Sequence, residues 1–209
     1  VAVSHTLSLS FFPEFIHSLQ EELKETQTRQ LVANVDDSVQ ALKNGICDFL
    51  LAFEDSTLAS EEFRKLDLQT ESLLPICRAD EEGRPLFDLD ASQEKKLPYL
   101  AYPKNIFLGR CVGRLLKRPP HPVKLRQTFE SPLADSLRVM AMQGMGVAWV
   151  PTFAVREELR QGFLVTCGGP AWQLPLKVCL YRCNRTLSEE AESLWQVLDS
   201  RYPSSEMGG

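Results

Sequence analysis

The residues able to do chemistry gather at a few places along the chain. Ser4, His5, Thr6 and Ser8 crowd the point where an apolar, β-prone run gives way to a helical pattern. Hydroxyls and unpaired backbone N–H groups at such a junction can receive an anion, and the same side chains can serve purely as helix caps. His5 fits either a ligand contact or a hydrogen-bonded structural role. Tyr102 and Asn105 border a second strand–helix junction. Phe129 and Ser131 precede a third, at Pro132. The two aromatic rings suit a packed core as well as a recognition platform. Met140, Met142 and Met145 form a cluster in which oxidation would turn apolar side chains into polar sulfoxides. Unoxidised, the same stripe fills gaps in a core. Cys111 lies between Arg110 and Arg114, neighbours that can lower a thiol pKa if the sulfur points towards them.

Other chemistries lack their residues. The six cysteines include no C-x-x-C pair, and the three histidines, His5, His17 and His121, are remote from them in sequence, so no metal site or cofactor is expected. Cys179 and Cys183 are four residues apart on one strand-like run, roughly 13 Å if extended. A disulfide needs Cα atoms within about 7 Å, so free buried thiols are expected. There is no Gly-x-Ser-x-Gly elbow and no phosphate-binding Gly-Lys-Ser/Thr loop. The acidic pairs Asp36–Asp37 and Glu54–Asp55 are adjacent residues whose side chains diverge on a helix or strand. No enzymatic constellation emerges.

The elements that must position these residues alternate. Residues 1–6, 31–35 and 49–53 read as strands, separated by helices carrying Phe12, Phe15, Ile16, Leu19 and Leu23, then Val39 and Leu42, the second stopping at Asn44–Gly45. A strand-like stretch at 73–77 runs into a polar excursion over 78–96. A second series follows: strands at 98–102, 125–130, 147–150 and 163–167, with helices at 105–118, 133–142 and 153–160. Gly168, Gly169 and Pro170 then break the chain before a strand at 176–183 and a last helix. Thr186 and Glu189 match a capping box for that helix. The pattern is α/β, with two Rossmann-like units joined by two crossings and a ligand cleft expected between them.

With 209 residues, 44% apolar content and a net charge of −5, the chain is long enough for a core and has no basic face for gripping nucleic acid by itself. No apolar run reaches the ~20 residues of a membrane-spanning helix. The chain opens at Val1, inside a β-prone run and without an initiator Met, which fits a piece of a longer protein.

Three segments in register resemble the effector-binding domain of LysR-type transcriptional regulators: VAVSHTLSLSFFP at 1–13, DSVQALKNGICDF at 37–49, and GMGVAWVP at 144–151. The resemblance implies two subdomains of type-2 periplasmic-binding-protein fold. The first would comprise residues 1–78 and 174–209 and the second residues 79–173, with an N-terminal winged helix-turn-helix absent from this chain. It also implies that Ser4, His5, Thr6, Ser8, Tyr102, Asn105, Phe129 and Ser131 face the cleft and bind a small-molecule effector. Further implications are a homodimer or homotetramer, built from the helix at 12–23 of one chain against that at 132–143 of its neighbour, DNA contact only through the missing domain, no membrane, and a cytoplasmic location. SHTLSL at 4–9, LPICRADEEG at 74–83 and NIFLGR at 105–110 are similar to the hypochlorite-responsive subgroup, which is associated with methionine-based sensing. In NIFLGR, Leu108 stands where a methionine is expected. A solute-binding protein of a transport system is the alternative on the same fold.

Overall fold

Two unbroken apolar runs become fully buried strands, β3 (Leu50–Phe53) and β7 (Ala148–Pro151), and each belongs to one of two compact units. A strand covered on both faces has no use for polar alternation, which is why these runs carry none. The computed structural model describes residues 1–91 and 96–202.

The first unit is Val1–Thr70 with the chain from Leu176 onwards. Its central strand β1 (Ala2–Ser4) pairs in parallel with β2 (Leu31–Ala33) and with β3. The last strand, β9 (Leu174–Cys183), pairs antiparallel with β3, Leu50 opposite Tyr181. Around this sheet lie α1 (His5–Ser8), α2 (Phe11–Ser18), α3 (Val35–Lys43) and α7 (Glu189–Arg201). Phe11, Phe12 and Phe15 bury one face of α2, and Trp195 of α7 stacks on Phe49, with ring centroids 6.0 Å apart.

The second unit is Glu71–Pro175. The far half of β4 (Phe63–Arg78) pairs antiparallel with β7 and with β8 (Leu164–Thr166). Strands β5 (Leu97–Ala101) and β6 (Leu125–Glu130) pair in parallel, and Tyr99 bridges to Val147. Helices α4 (Phe107–Lys117), α5 (Ala134–Met142) and α6 (Arg156–Gln161) complete the unit. Its interior holds Trp149 and Trp172, and the Trp149 indole donates to the Trp172 carbonyl at 2.9 Å.

Several elements differ from the sequence expectation. The strand read over 1–6 stops at Ser4, so His5 and Thr6 belong to the short helix α1. The helix expected through Leu23 ends at Ser18, where the Leu19 amide bonds back to Ile16 and the chain proceeds in successive turns. β4 starts ten residues before the strand read at 73–77, since its first half mixes Leu66 with charged, part-exposed residues and shows no apolar run. Because β4 and β9 are long strands that both units share, the compact units part at 70/71 and 175/176; the expected boundaries were 78/79 and 173/174. The final helix is capped by Ser188, whose hydroxyl accepts the Ala191 amide at 3.3 Å, and Thr186 is not the cap. α5 starts after Leu133, and the Ser131 hydroxyl accepts the Leu133 amide at 3.2 Å instead of capping the helix.

Candidate functional site

In the first unit the candidate residues cluster where β1 ends. Ser4 is the last residue of the central strand, flanked on both sides by parallel neighbours, and its side chain is 8% exposed. Its hydroxyl has no hydrogen-bond partner. Ser8 closes the small helix on itself, its hydroxyl donating to the His5 carbonyl at 2.7 Å. His5 is exposed and Thr6 half-buried. The junction therefore offers one buried, unsatisfied hydroxyl beside an exposed imidazole.

In the second unit the strands β5 and β6 carry their candidates to the same end of the pair. Ala101 lies opposite Glu130, and the Ser131 amide donates to the Ala101 carbonyl at 3.0 Å, which brings Ser131 alongside Tyr102. Tyr102 is 3% exposed and its hydroxyl has no hydrogen-bond partner. Burial pushes that hydroxyl well above its ordinary pKa, and Tyr99 and Asp135 act in the same direction, so it is a neutral donor at any working pH. Burial, with Glu130 adding to it, pushes Tyr99 up to about 12. Phe129 is half-buried opposite Leu100 on the other strand. Asn105 is exposed, and its carbonyl accepts from the Arg110 guanidinium at 2.8 Å. Tyr102, Phe129 and Ser131 are thus brought together, with Asn105 one turn of chain away. Sequence reasoning missed Tyr99 and Asp135, because neither stands out until the register of β5 and the start of α5 are known.

The sulfur candidates divide by exposure. Cys111 points inwards, buried in α4, with Arg114 Nη2 at 3.5 Å from its sulfur. Met140 and Met142 are half-buried and Met145 is 48% exposed, so none of the three sits in the core as a gap filler. Leu108 is buried in α4. All six cysteines are free and buried. Among the described residues no group of three or more His, Cys, Asp or Glu is arranged to hold a metal ion. No described helix is long and apolar enough to cross a membrane.

Two Rossmann-like α/β units joined by two long strands, with polar residues at the carboxyl ends of parallel strands, make up the type-2 periplasmic-binding-protein fold used by ligand-binding regulatory domains. The chain belongs to the LysR substrate binding domain family, which it matches over residues 1–203. It is 31% identical over 199 residues to the HTH domain-truncated transcriptional regulator QseD of Escherichia coli O157:H7, covering 95% of this chain and 79% of that one. The HTH-type transcriptional regulator YjiE of Escherichia coli K12 is also 31% identical over 199 residues, but the chain spans only 63% of its length. Among solved structures, the regulatory domain of HypT from Salmonella typhimurium with bromide bound superposes with a TM-score of 0.80 at 29% identity, over 95% of this chain and 92% of that one. The chain is therefore the effector-binding domain of a LysR-type regulator, and these likenesses give no support to the transport alternative.

Proposed function

We propose that this domain senses a small anion through a hydroxyl-bearing strand end and passes the response to a DNA-binding segment outside this chain, within a dimeric cytoplasmic regulator. Three buried hydroxyls among the described residues have no hydrogen-bond partner. The observation that carries the reading is that two of them lie at the carboxyl end of a parallel strand, Ser4 Oγ in the first unit and Tyr102 Oη in the second; the third is Ser38 Oγ in α3. A buried polar group left unsatisfied costs about 1–3 kcal/mol, and an ordered water, an ion or a ligand is among the partners that relieve it. HypT, solved with a bromide ion, supplies the precedent for a monatomic anion as ligand of a related domain.

Thermal-shift titration with sodium bromide, chloride and short carboxylates tests this. Ligand at 100-fold its Kd adds about 2.7 kcal/mol to folding stability, a shift of several degrees. Ser4→Ala and Tyr102→Phe, assayed separately, each remove the shift if their hydroxyl is a contact. Undiminished shifts in both variants would remove these residues from the site.

A second reading has its own support. A solved full-length HypT is described as a hypochlorite-specific LysR-type regulator, and Met145, with the half-buried Met142 nearby, presents reachable thioethers. In this reading sulfoxide formation at the end of α5 is the signal. Peptide mass spectrometry after stoichiometric hypochlorite decides it: selective oxidation of Met142 and Met145 is expected, and indiscriminate oxidation excludes it.

A further inference from the structure

The end of β4 and the end of β8 bring two cysteines together that lie ninety positions apart in the chain. Cys77 is opposite Val165 in the antiparallel register, and the Cys167 amide donates to the Pro75 carbonyl at 3.0 Å. Residues opposite each other across such a pair share a face, as do residues two apart on one strand, so Cys77, Val165 and Cys167 all project to one side. The Cys167 thiol is close enough to act on the Cys77 sulfur, and the Cys77 thiol itself donates to the Phe87 carbonyl at 3.4 Å. They are 0% and 1% exposed.

We infer that Cys77 and Cys167 are a two-electron oxidation site, converted to a reversible disulfide by a small neutral oxidant of the hypohalous-acid class. Diagonal neighbours in an antiparallel pair have Cα atoms about 7–8 Å apart, a little beyond the ~4.4–6.8 Å that a disulfide spans. β8 is only three residues long and is followed by Gly168 and Gly169. The Cys167 carbonyl also accepts from the Leu89 amide at 2.7 Å, however, so closing the missing distance must stretch that bond or the one to Pro75.

The two sulfurs are not equivalent. The hydrogen bond from the Cys167 thiol lowers the Cys77 pKa, whereas burial, together with that donation, raises the Cys167 pKa well above the ordinary thiol value. Cys77 is thus the nucleophile and Cys167 the resolving thiol. The Cys77 thiolate, its proton given up to solvent, attacks the chlorine of hypochlorous acid, forming an S–Cl bond and releasing hydroxide. Cys167 sulfur then attacks Cys77 sulfur: the S–S bond forms, the S–Cl bond breaks, chloride leaves, and the Cys167 proton neutralises the hydroxide to water. The two thiols lose two electrons in total, and the oxidant is reduced to chloride.

The other cysteines are placed differently, although Cys47 shares a buried cluster with Cys179 and Cys183. Cys179 and Cys183 are spread along β9, the Cys183 thiol donates to the Leu42 carbonyl at 3.5 Å, and Cys111 faces Arg114. Burial also filters the reagent, since a molecule of one or two heavy atoms reaches the pair through local opening more readily than a bulky thiol reagent does.

The proposal rests on the geometry of this pair and not on the anion reading, so a failed halide titration leaves it standing and its own failure leaves that reading intact. It competes with the methionine reading, because one equivalent of oxidant consumed by the pair leaves none for Met142 and Met145. The test is non-reducing tryptic mapping of the folded chain after one equivalent of hypochlorous acid. Peptides 66–78 and 161–177 each carry one cysteine, and a single cross-linked species of the two, short of two hydrogens and released by dithiothreitol, is expected. It should be absent in Cys77→Ser and in Cys167→Ser and persist in Cys111→Ser. Absence of that species in the wild-type chain while other thiols or methionines are oxidised overturns the proposal. So does its formation only after unfolding in urea.

Discussion

Gly109 and Gly113 stand four residues apart in α4 and carry the same letter for opposite reasons. A Cβ on Gly109 would lie 2.0 Å from the Pro103 carbonyl oxygen and 2.9 Å from its carbon, backbone atoms that cannot swing aside. A Cβ on Gly113 would meet nothing within 4 Å. Gly113→Ala is therefore expected to stabilise the domain by up to about 1 kcal/mol, the helix-propensity gap between the two residues. Gly109→Ala forces the helix off the chain that precedes it and should destabilise by about 1–3 kcal/mol or more, the range seen for overpacked cores. Urea titration of the two variants reads the opposite signs, and a Gly109→Ala domain as stable as wild type would show that α4 can slide away from residue 103. The helix itself was legible in the apolar spacing of residues 106–115, but this distinction was not. It depends on how closely the helix approaches a loop, which periodicity does not encode. The orientation of Cys111, undecided in the sequence, is settled in the same way, because Gly109 and Val112 pin its face of α4 inwards.

At the scale of the element, α7 shows how a charge can dock a helix. Its first-turn Glu192 takes two hydrogen bonds of 2.7 Å from the buried guanidinium of Arg182 on β9 and a third, 2.9 Å, from the Leu187 amide. Arg182 also lies over the Trp195 ring, 5.3 Å from its centroid. The hydrogen bond from Arg182, with that from the Leu187 amide, holds the Glu192 carboxyl at about 2. In Asp67, burial acts upwards, but hydrogen bonds from Lys177 and Lys65 outweigh it and hold that carboxyl at about 2 as well. Both folded values lie below the ~4 of an unfolded acidic side chain. Their stabilisation is therefore complete above that value and is lost as pH falls towards about 2. The melting temperature should stay level from neutral pH to about pH 5 and then fall. Glu192→Gln should melt below wild type at neutral pH, with the difference closing by about pH 2; a difference independent of pH would show that the carboxylate charge is not what docks α7. The helix and its apolar stripe were readable in the sequence, whereas the capping residue was displaced by two positions. Thr186–Glu189 has the right letters, but the helix begins after Ser188, whose hydroxyl accepts the Ala191 amide. The candidate site divides along the same line. The junctions holding Ser4, Tyr102 and Ser131 follow from strand and helix punctuation, whereas the involvement of Tyr99 follows from the register of β5 and that of Asp135 from where α5 begins.

At the scale of the whole molecule, the proposed dimer is the statement most open to direct measurement. The surface of α5 carries more apolar area than a solvated helix needs: Val139 is 47% exposed, Leu133 just before the helix is 41% exposed, and Met142, one turn from Val139 on the same face, is half-buried. In the first unit, α2 turns Pro13, Glu14 and His17 outwards. Val139 and Met142 share one face of α5, and apolar residues grouped in this way mark an interaction surface more often than singly scattered ones do. Packing α2 of one chain against α5 of another would cover both helices twice in a two-fold arrangement, as a self-complementary interface requires. Sedimentation analysis of the chain should show a monomer–dimer equilibrium. Val139→Glu, which places a charge in the centre of the proposed contact, should weaken association by tenfold or more, about 1.4 kcal/mol. Lys117→Glu, on the exposed end of α4, should leave it unchanged. A wild-type chain that stays monomeric across the concentration range removes the dimer. A Val139→Glu chain that associates as tightly as wild type keeps the dimer but moves it off α5, and with it the route by which a ligand at the strand ends could re-space two DNA-binding segments.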